Sequence, residues 1–249
     1  MRDALGAGIP AAGVGCGFAR ETLARLAARR ASEGEHGPFA TGSLTEDYEL
    51  GLLISVNGGR SRFLRCRDES GNLVATRAYF PATLDESVRQ KTRWIHGIAL
   101  QGWDRLGWRG GLVDLWMKMR DRRGPLMALV LAAAYALVVI EGLLLLGRIA
   151  GWSAQVPVSP LLRAMITICF ISLAWRTTWR AAFTAREYGL VEGLLSVPRT
   201  IVGNAIAIIA GRRALFAYVR TLRGARITWD KTQHHDHPAA SPALGATST

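Results

Sequence analysis

Cysteine is scarce in this sequence, and what there is lies far apart. Cys16, Cys66 and Cys169 are the three in 249 residues. An odd, dispersed set offers no disulfide framework and no Cys-x-x-Cys metal knuckle, which suits a reducing compartment. The first thirty residues lack a basic stretch leading into an apolar one, so they do not read as a signal peptide. No internal repeat is present. Acidic side chains are the minority: 19 Asp and Glu stand against 31 Lys and Arg, a net charge of +12. A basic excess serves nucleic acid, anionic lipid or an anionic substrate. Here it is nearly all arginine, clustered around apolar runs and not in a free tail. That favours a membrane surface and gives no sign of a nucleic-acid partner.

Residues 10–18 are small and glycine-rich, which reads as a tight turn before a helix. No Gly-x-Gly-x-x-Gly or Gly-Lys-Ser/Thr follows, so the turn makes a poor nucleotide loop. Leu23, Leu26 and Ala27 give helical periodicity over 20–30. Residues 43–56 read as a second helix, capped by Ser43 or Thr45, with Glu46 and Asp47 in the first turn where the helix dipole favours negative charge. Leu50, Leu53 and Ile54 form its buried face, and Asn57-Gly58-Gly59 ends it. Residues 61–67 and 73–80 are short β-like runs around Asp68-Glu69-Ser70-Gly71-Asn72, a hairpin pattern. Thr83-Leu84-Asp85-Glu86 is a capping box that opens a third helix carrying Val88, Gln90, Arg93 and Trp94. Trp94, Trp103, Trp108 and Trp116 then alternate with leucines and basic residues, as in a helix lying at a bilayer head-group region.

Residues 126–146 are apolar except for Glu141 and long enough to cross a hydrocarbon core of roughly 30 Å. Arg120, Arg122 and Arg123 place the preceding end in the cytoplasm. Residues 161–175 return, and Arg176, Arg180 and Arg186 mark the cytoplasm again. Residues 189–210 contain Glu192, Pro198, Arg199 and Asn204 and are followed by more arginine. With both flanks cytoplasmic, this segment is expected to lie in the interface or re-enter, giving two spans; a third span is the alternative. Glu141 faces a polar channel or reaches the interface. His234-His235-Asp236-His237 falls in a Pro/Ala/Ser-rich tail, where solvated histidines are the simpler reading than a metal site.

Sugar transfer from a nucleotide donor needs a hold on the diphosphate, a base for the acceptor hydroxyl and a surface that orients the acceptor. Asp47, fixed at a helix start, has the chemistry of the base. Thr-Glu-Asp by itself reads more simply as an ordinary helix start. Gln90 and Arg93, three apart, share a helix face. The arginine fork pairs with diphosphate oxygens and the glutamine hydrogen-bonds beside it. Trp94 offers a flat apolar face to a sugar ring, although Arg93 and Trp94 also suit an amphipathic interfacial helix.

Thr45-Glu46-Asp47 followed by Gln90-x-x-Arg93-Trp94 resembles the family 2 glycosyltransferases with membrane helices, the group containing cellulose and hyaluronan synthases. The fuller string Arg89-Gln90-Lys91-Thr92-Arg93-Trp94-Ile95-x-Gly97-Ile98-Ala99-Leu100-Gln101-Gly102-Trp103 is similar to the bacteriophage-adsorption-protein-B type of that family. Ala11-Ala12-Gly13-Val14-Gly15, Phe80-Pro81 and Trp229-Asp230-Lys231-Thr232-x-His234 extend the likeness over most of the chain. The resemblance implies an α/β GT-A catalytic domain on the cytoplasmic side of a bacterial inner membrane, inverting chemistry, a nucleotide-sugar donor and a divalent cation. It implies that Asp47 is the base, with Glu46 beside it in the catalytic set. It assigns donor and acceptor contacts to Thr45, Gln90 and Arg93, and acceptor stacking to Trp94. Cys16 and Gly17 match an acceptor-side turn of the family loosely.

The departure is large. The family's nucleotide-binding half comes first and carries an Asp-x-Asp metal site; no Asp-x-Asp occurs here, and residues 1–42 hold only Asp3 as an aspartate. The cation's ligands are thus expected to lie outside this chain, which reads as a C-terminal portion. The expected layout is the C-terminal, incomplete half of a GT-A domain over 1–85, amphipathic interface helices over 86–119, a membrane region over 120–226 and a disordered cytoplasmic tail over 227–249. Expected partners are a nucleotide sugar, a glycan or lipid-linked acceptor, the bilayer and an export or outer-membrane protein, in exopolysaccharide synthesis. Two other classes stay open: a non-catalytic membrane scaffold or receptor, and a small transport or channel subunit suggested by Glu141 and the broken segment 189–210. The latter leaves Thr45–Asp47 and Gln90–Trp94 unexplained.

Overall fold

The structure is a computed structural model that describes residues 1–11, 15–40, 42–71, 73–74, 81, 83–152 and 158–225. It is dominated by helices: α1 (Arg20–Ser32), α2 (Glu46–Val56), α3 (Leu84–Trp94), a π-helical segment (Ile95–Gln101), α4 (Gly102–Leu106), α5 (Leu112–Arg122), α6 (Gly124–Ile149), α7 (Pro160–Tyr188) and α8 (Leu190–Leu222). The chain divides into two compact units, Met1–Met127 with Ile209–Thr249, and Ala128–Ile208.

In the first unit, α1 packs on α2 through Leu26, Leu50 and Ile54, with Leu23 and Leu53 against them. The helical periodicity of the sequence foretells this face. The N-terminal segment crosses α2 at Gly51, where any Cβ would collide with the backbone of Ile9 and Ala11. Only glycine permits that approach.

Three sequence expectations are modified here. Helix α2 starts at Glu46, and the Thr45 side chain makes no capping bond. Ser43 does not cap it either: its hydroxyl accepts from the Thr45 amide at 3.3 Å, ahead of the helix, and donates to the buried Glu49 carboxylate at 2.8 Å. The capping box of α3 forms at the Thr83 end: the Thr83 hydroxyl oxygen accepts from the Glu86 amide at 3.3 Å and donates to its carboxylate at 3.0 Å. The α/β half is reduced among the described residues to one antiparallel bridge, Arg67 to Leu73, with the Val74 amide donating to the Cys66 carbonyl at 3.0 Å. Phe63 and Leu64 beside it are exposed. Most of the second arm of the hairpin, 75–80, lies outside the described residues, as do Trp229 and the histidine cluster.

The described residues of the second unit are mostly helical. Helices α6, α7 and α8 are each long and apolar enough to cross a membrane. Large apolar side chains such as Leu137, Val138, Ile168 and Phe170 point outward, as lipid-facing residues do. The polar residues that interrupt 189–210 have partners inside this unit. Arg199 pairs with Glu192 at 2.6 Å, and the Asn204 amide donates to the Tyr135 hydroxyl at 3.2 Å. Helix α8 runs unbroken through Pro198. Glu141 is ion-paired with Arg148.

Candidate functional site

The turn ahead of Asp47 is held from below by side chains that are distant in sequence. Ser43 is fully buried, and its hydroxyl accepts from the Thr45 amide at 3.3 Å while donating to Glu49. Glu49, also buried, accepts a second bond from Arg105 at 3.0 Å. Gln101 clamps the same turn by accepting from the Leu44 amide at 3.0 Å and donating to the Gly42 carbonyl at 2.8 Å. One turn into α2, the Tyr48 hydroxyl donates to Asp121 at 2.7 Å, and Asp121 also pairs with Arg2. Burial first, and the Asp121 charge second, push the Tyr48 phenol well above its ordinary range, so it stays a donor. The half-buried Asp47 carboxylate accepts from the Tyr48 amide at 2.7 Å. Glu46 is half-buried beside it.

The π-helical segment brings the second motif to this turn. A Cβ on Gly97 would sit 2.6 Å from the Thr45 hydroxyl oxygen and 3.2 Å from the Leu44 Cβ. The segment therefore rests directly on Leu44 and Thr45. π-Helical turns inside helices occur often at functional sites. Here the turn joins the helix of Arg93 and Trp94 to Gln101, the residue that clamps the Thr45 turn.

Leu44, Arg89, Thr92, Arg93 and His96 line one wall of a cavity of about 510 Å³. Its other wall comes from α8: Arg212, Arg213, Phe216, Ala217 and Arg220. Three buried polar atoms at or beside this cavity have no hydrogen-bond partner among the described residues: Arg93 Nε, His96 Nε2 and Thr45 Oγ1. Buried polar atoms are normally paired, so such a cluster marks a place that takes a ligand or water. Burial holds the His96 imidazole below its ordinary range, against the pull of the Asp104 charge. Its ring meets Tyr218 edge-on at 6.1 Å, and the Tyr218 hydroxyl donates to Asp104 at 3.0 Å.

The residues singled out from the sequence distribute unevenly. Arg93 lines the cavity, whereas Thr45, Glu46 and Asp47 follow its wall residue Leu44 and do not line it. Gln90 is half-buried on α3 but does not line the cavity, whose wall follows Arg89, Thr92, Arg93 and His96 instead. Trp94 is exposed enough to offer a ring face. Cys16 and Gly17 are exposed before α1 and do not line the cavity. Sequence reasoning missed Gln101, His96 and the α8 arginines as parts of one site. Gln101 lies within the string that carries the family resemblance, whereas Arg212 and Arg213 read there only as membrane-flanking charge. It also missed Arg122, whose guanidinium lies 5.3 Å from the Trp103 ring centre and 4.5 Å from that of Trp108. Those two tryptophans, read as interface anchors, also cage a cation.

No group of three metal-ligating side chains occurs among the described residues. A cavity lined by arginines repels a cation. The residues present do not fit the divalent ion that the resemblance implies.

Residues 1–179 match the family described as Glycosyl transferase family group 2. The chain belongs to this family. It is 34% identical over 263 aligned positions to bacteriophage adsorption protein B of Escherichia coli strain K12, covering 97% of this chain and 34% of that protein. The same identity and coverage hold for bacteriophage N4 adsorption protein B of Escherichia coli O157:H7. The chain thus spans about a third of the length of the curated relatives it matches. No solved structure matches it. Within this group 2 glycosyltransferase chain, the family match includes the Thr45–Asp47 turn and the helix of Arg93, but ends before the arginines of α8.

Proposed function

We propose that this chain forms the acceptor side of a membrane-bound inverting glycosyltransferase, using a nucleotide-sugar donor and a glycan or lipid-linked acceptor. The observation that carries the reading is the seating of the Gly97 turn on Leu44 and Thr45, which ties the helix of Arg93 to the turn that ends in Asp47. In this mechanism Asp47 takes the proton from the acceptor hydroxyl. The freed oxygen attacks the anomeric carbon as its bond to the donor diphosphate breaks, and the configuration inverts. Arg93 and Gln90 bind the charge developing on the leaving diphosphate. Trp94 stacks on the acceptor sugar. Ser43, Gln101 and Glu49 are positioning residues that hold the Asp47 turn.

The catalytic surface lies on the cytoplasmic side in this reading, in a bacterial inner membrane, with two crossings. Residues 1–127 and 209–249 belong to one compact unit, which supports an even number of crossings between them. An odd number would separate Asp85 from Arg213, which are 3.3 Å apart. The relatives are named for bacteriophage adsorption, and a surface glycan is chemistry to which a phage can adsorb; this supports a role in exopolysaccharide synthesis with an export partner.

The test is Asp47→Asn in the full-length protein, reconstituted in vesicles and supplied with radiolabelled nucleotide sugars. Removing a general base costs roughly 10²–10⁴-fold in rate. Transfer is expected to fall by that factor while membrane insertion is unchanged. Undiminished transfer refutes the assignment of Asp47, and a wild-type protein that transfers none of the sugars favours a non-catalytic scaffold.

A further inference from the structure

The arginine cavity holds more positive charge than the sugar-transfer reading uses. Five guanidinium groups line it, two from α3 and three from α8. Among the described residues Asp85 pairs with two of them, Arg89 at 2.8 Å and Arg213 at 3.3 Å. Arg93, Arg212 and Arg220 have no carboxylate partner among the described residues. Gathering like charges around a common cavity is unfavourable unless an anion offsets it. The orphaned Nε of Arg93 and Nε2 of His96 add unspent hydrogen-bonding capacity beside that charge, and His96 is only 6% exposed.

We propose that this cavity binds the phosphate group of an amphiphile, either a phospholipid head group or a lipid-linked phosphate. Guanidinium forks match phosphate oxygens in pairs, and several converging forks suit a diester or diphosphate. The apolar component lies on α8 itself. Phe216, large and exposed, lies between Arg213 and Arg220 in the same wall. These residues directly follow, on one continuous helix, a run apolar enough to cross a membrane. Basic clusters next to such runs bind anionic lipid heads. The inference shares Arg93 with the sugar-transfer reading but needs neither Asp47 nor a sugar donor.

The experiment uses the full chain in uncharged detergent and in nanodiscs. Binding is measured for farnesyl diphosphate, for inorganic pyrophosphate, and for phosphatidylglycerol against phosphatidylcholine. Wild type is expected to bind farnesyl diphosphate or phosphatidylglycerol at least about tenfold more tightly than pyrophosphate, since burying part of a chain adds apolar contact. Preference for the first identifies a lipid-linked phosphate, and for the second a head group. The double variant Arg212→Gln/Arg220→Gln is expected to weaken that binding roughly a hundredfold, about tenfold per charge-assisted contact. Pyrophosphate binding as tight as farnesyl diphosphate overturns the proposal in favour of a soluble diphosphate site. Unchanged binding by the double variant also overturns it. If that variant does not fold, phenylglyoxal labelling of wild type decides: the bound amphiphile should protect Arg212 and Arg220, and absence of protection overturns the proposal. Asp47→Asn should retain this binding, so a failed sugar-transfer assignment and a failed phosphate site are told apart.

Discussion

Gly97→Ala is a sensitive probe of how the two motifs meet. In an ordinary helix the change from glycine to alanine stabilises by roughly 1 kcal/mol, because the unfolded chain loses freedom and nothing opposes the methyl group. At Gly97 the sign should reverse. The new Cβ would lie 2.6 Å from Thr45 Oγ1 and 2.8 Å from Thr45 Cγ2. Thr45 is 5% exposed and cannot swing into solvent, and the Leu44 Cβ at 3.2 Å closes the other direction. Either the Thr45 turn or the π-helical segment must move. Overpacking of this kind costs about 1–3 kcal/mol, so the net change is a loss of up to about 2 kcal/mol once the helix gain is subtracted. Thermal unfolding of the purified chain in detergent should show a midpoint a few degrees lower. Gly142→Ala is the control, since a Cβ there meets nothing within 4 Å, and it should not lower the midpoint. A Gly97→Ala protein that unfolds at or above the wild-type temperature would refute the close packing of Gly97 on Thr45.

Two further outcomes follow from the same geometry. Gln101→Leu keeps the volume but leaves the buried Leu44 amide without its acceptor, a loss of about 1–3 kcal/mol; hydrogen exchange should show faster opening of the Leu44 amide, and an unchanged rate would mean that Gln101 does not hold the turn. His96, held below its ordinary value of 6.5 by burial, stays neutral in the folded chain while the unfolded chain takes up a proton, so stability should fall as pH drops from 6.5. In His96→Gln that part of the pH dependence should disappear from unfolding midpoints measured between pH 7 and 5, with Asp104 and the cavity arginines unchanged.

The parts of this molecule that the sequence makes legible are those with local periodicity. Leu23 and Leu26 on α1, and Leu50, Leu53 and Ile54 on α2, recur at helical spacing and meet as read. The span at 126–146 declares itself by length and apolarity and falls within α6. The start of α2 was less legible because Ser43 has two competing uses. A serine before an acidic pair looks like a cap, yet its hydroxyl accepts from the Thr45 amide, ahead of the helix, and donates to Glu49, which is buried and also paired with Arg105. Pairing inside the fold outweighed the local signal. The same holds for 189–210, whose charges look disruptive singly and become tolerable once Glu192 meets Arg199.

The candidate site was half legible for a related reason. Thr45–Asp47 and Gln90–Trp94 are contiguous strings whose residue types suit one chemistry, so they stand out. Their meeting depends on Gly97 and Gln101, whose identities matter only because of what lies against them. A glycine in a helix reads as a weakness, and here it is the contact surface for Thr45. The α8 arginines are a stronger case. Arg212, Arg213 and Arg220 lie more than a hundred residues from Arg93, and beside an apolar run arginine has a sufficient explanation as membrane-flanking charge. What separates the two roles is convergence on a cavity with Asp85 as its paired carboxylate. Flanking charge needs only proximity to the head groups, so single substitutions among Arg212, Arg213 and Arg220 would then be interchangeable. A built phosphate site requires that they differ: Arg213 shares Asp85, whereas Arg212 and Arg220 do not.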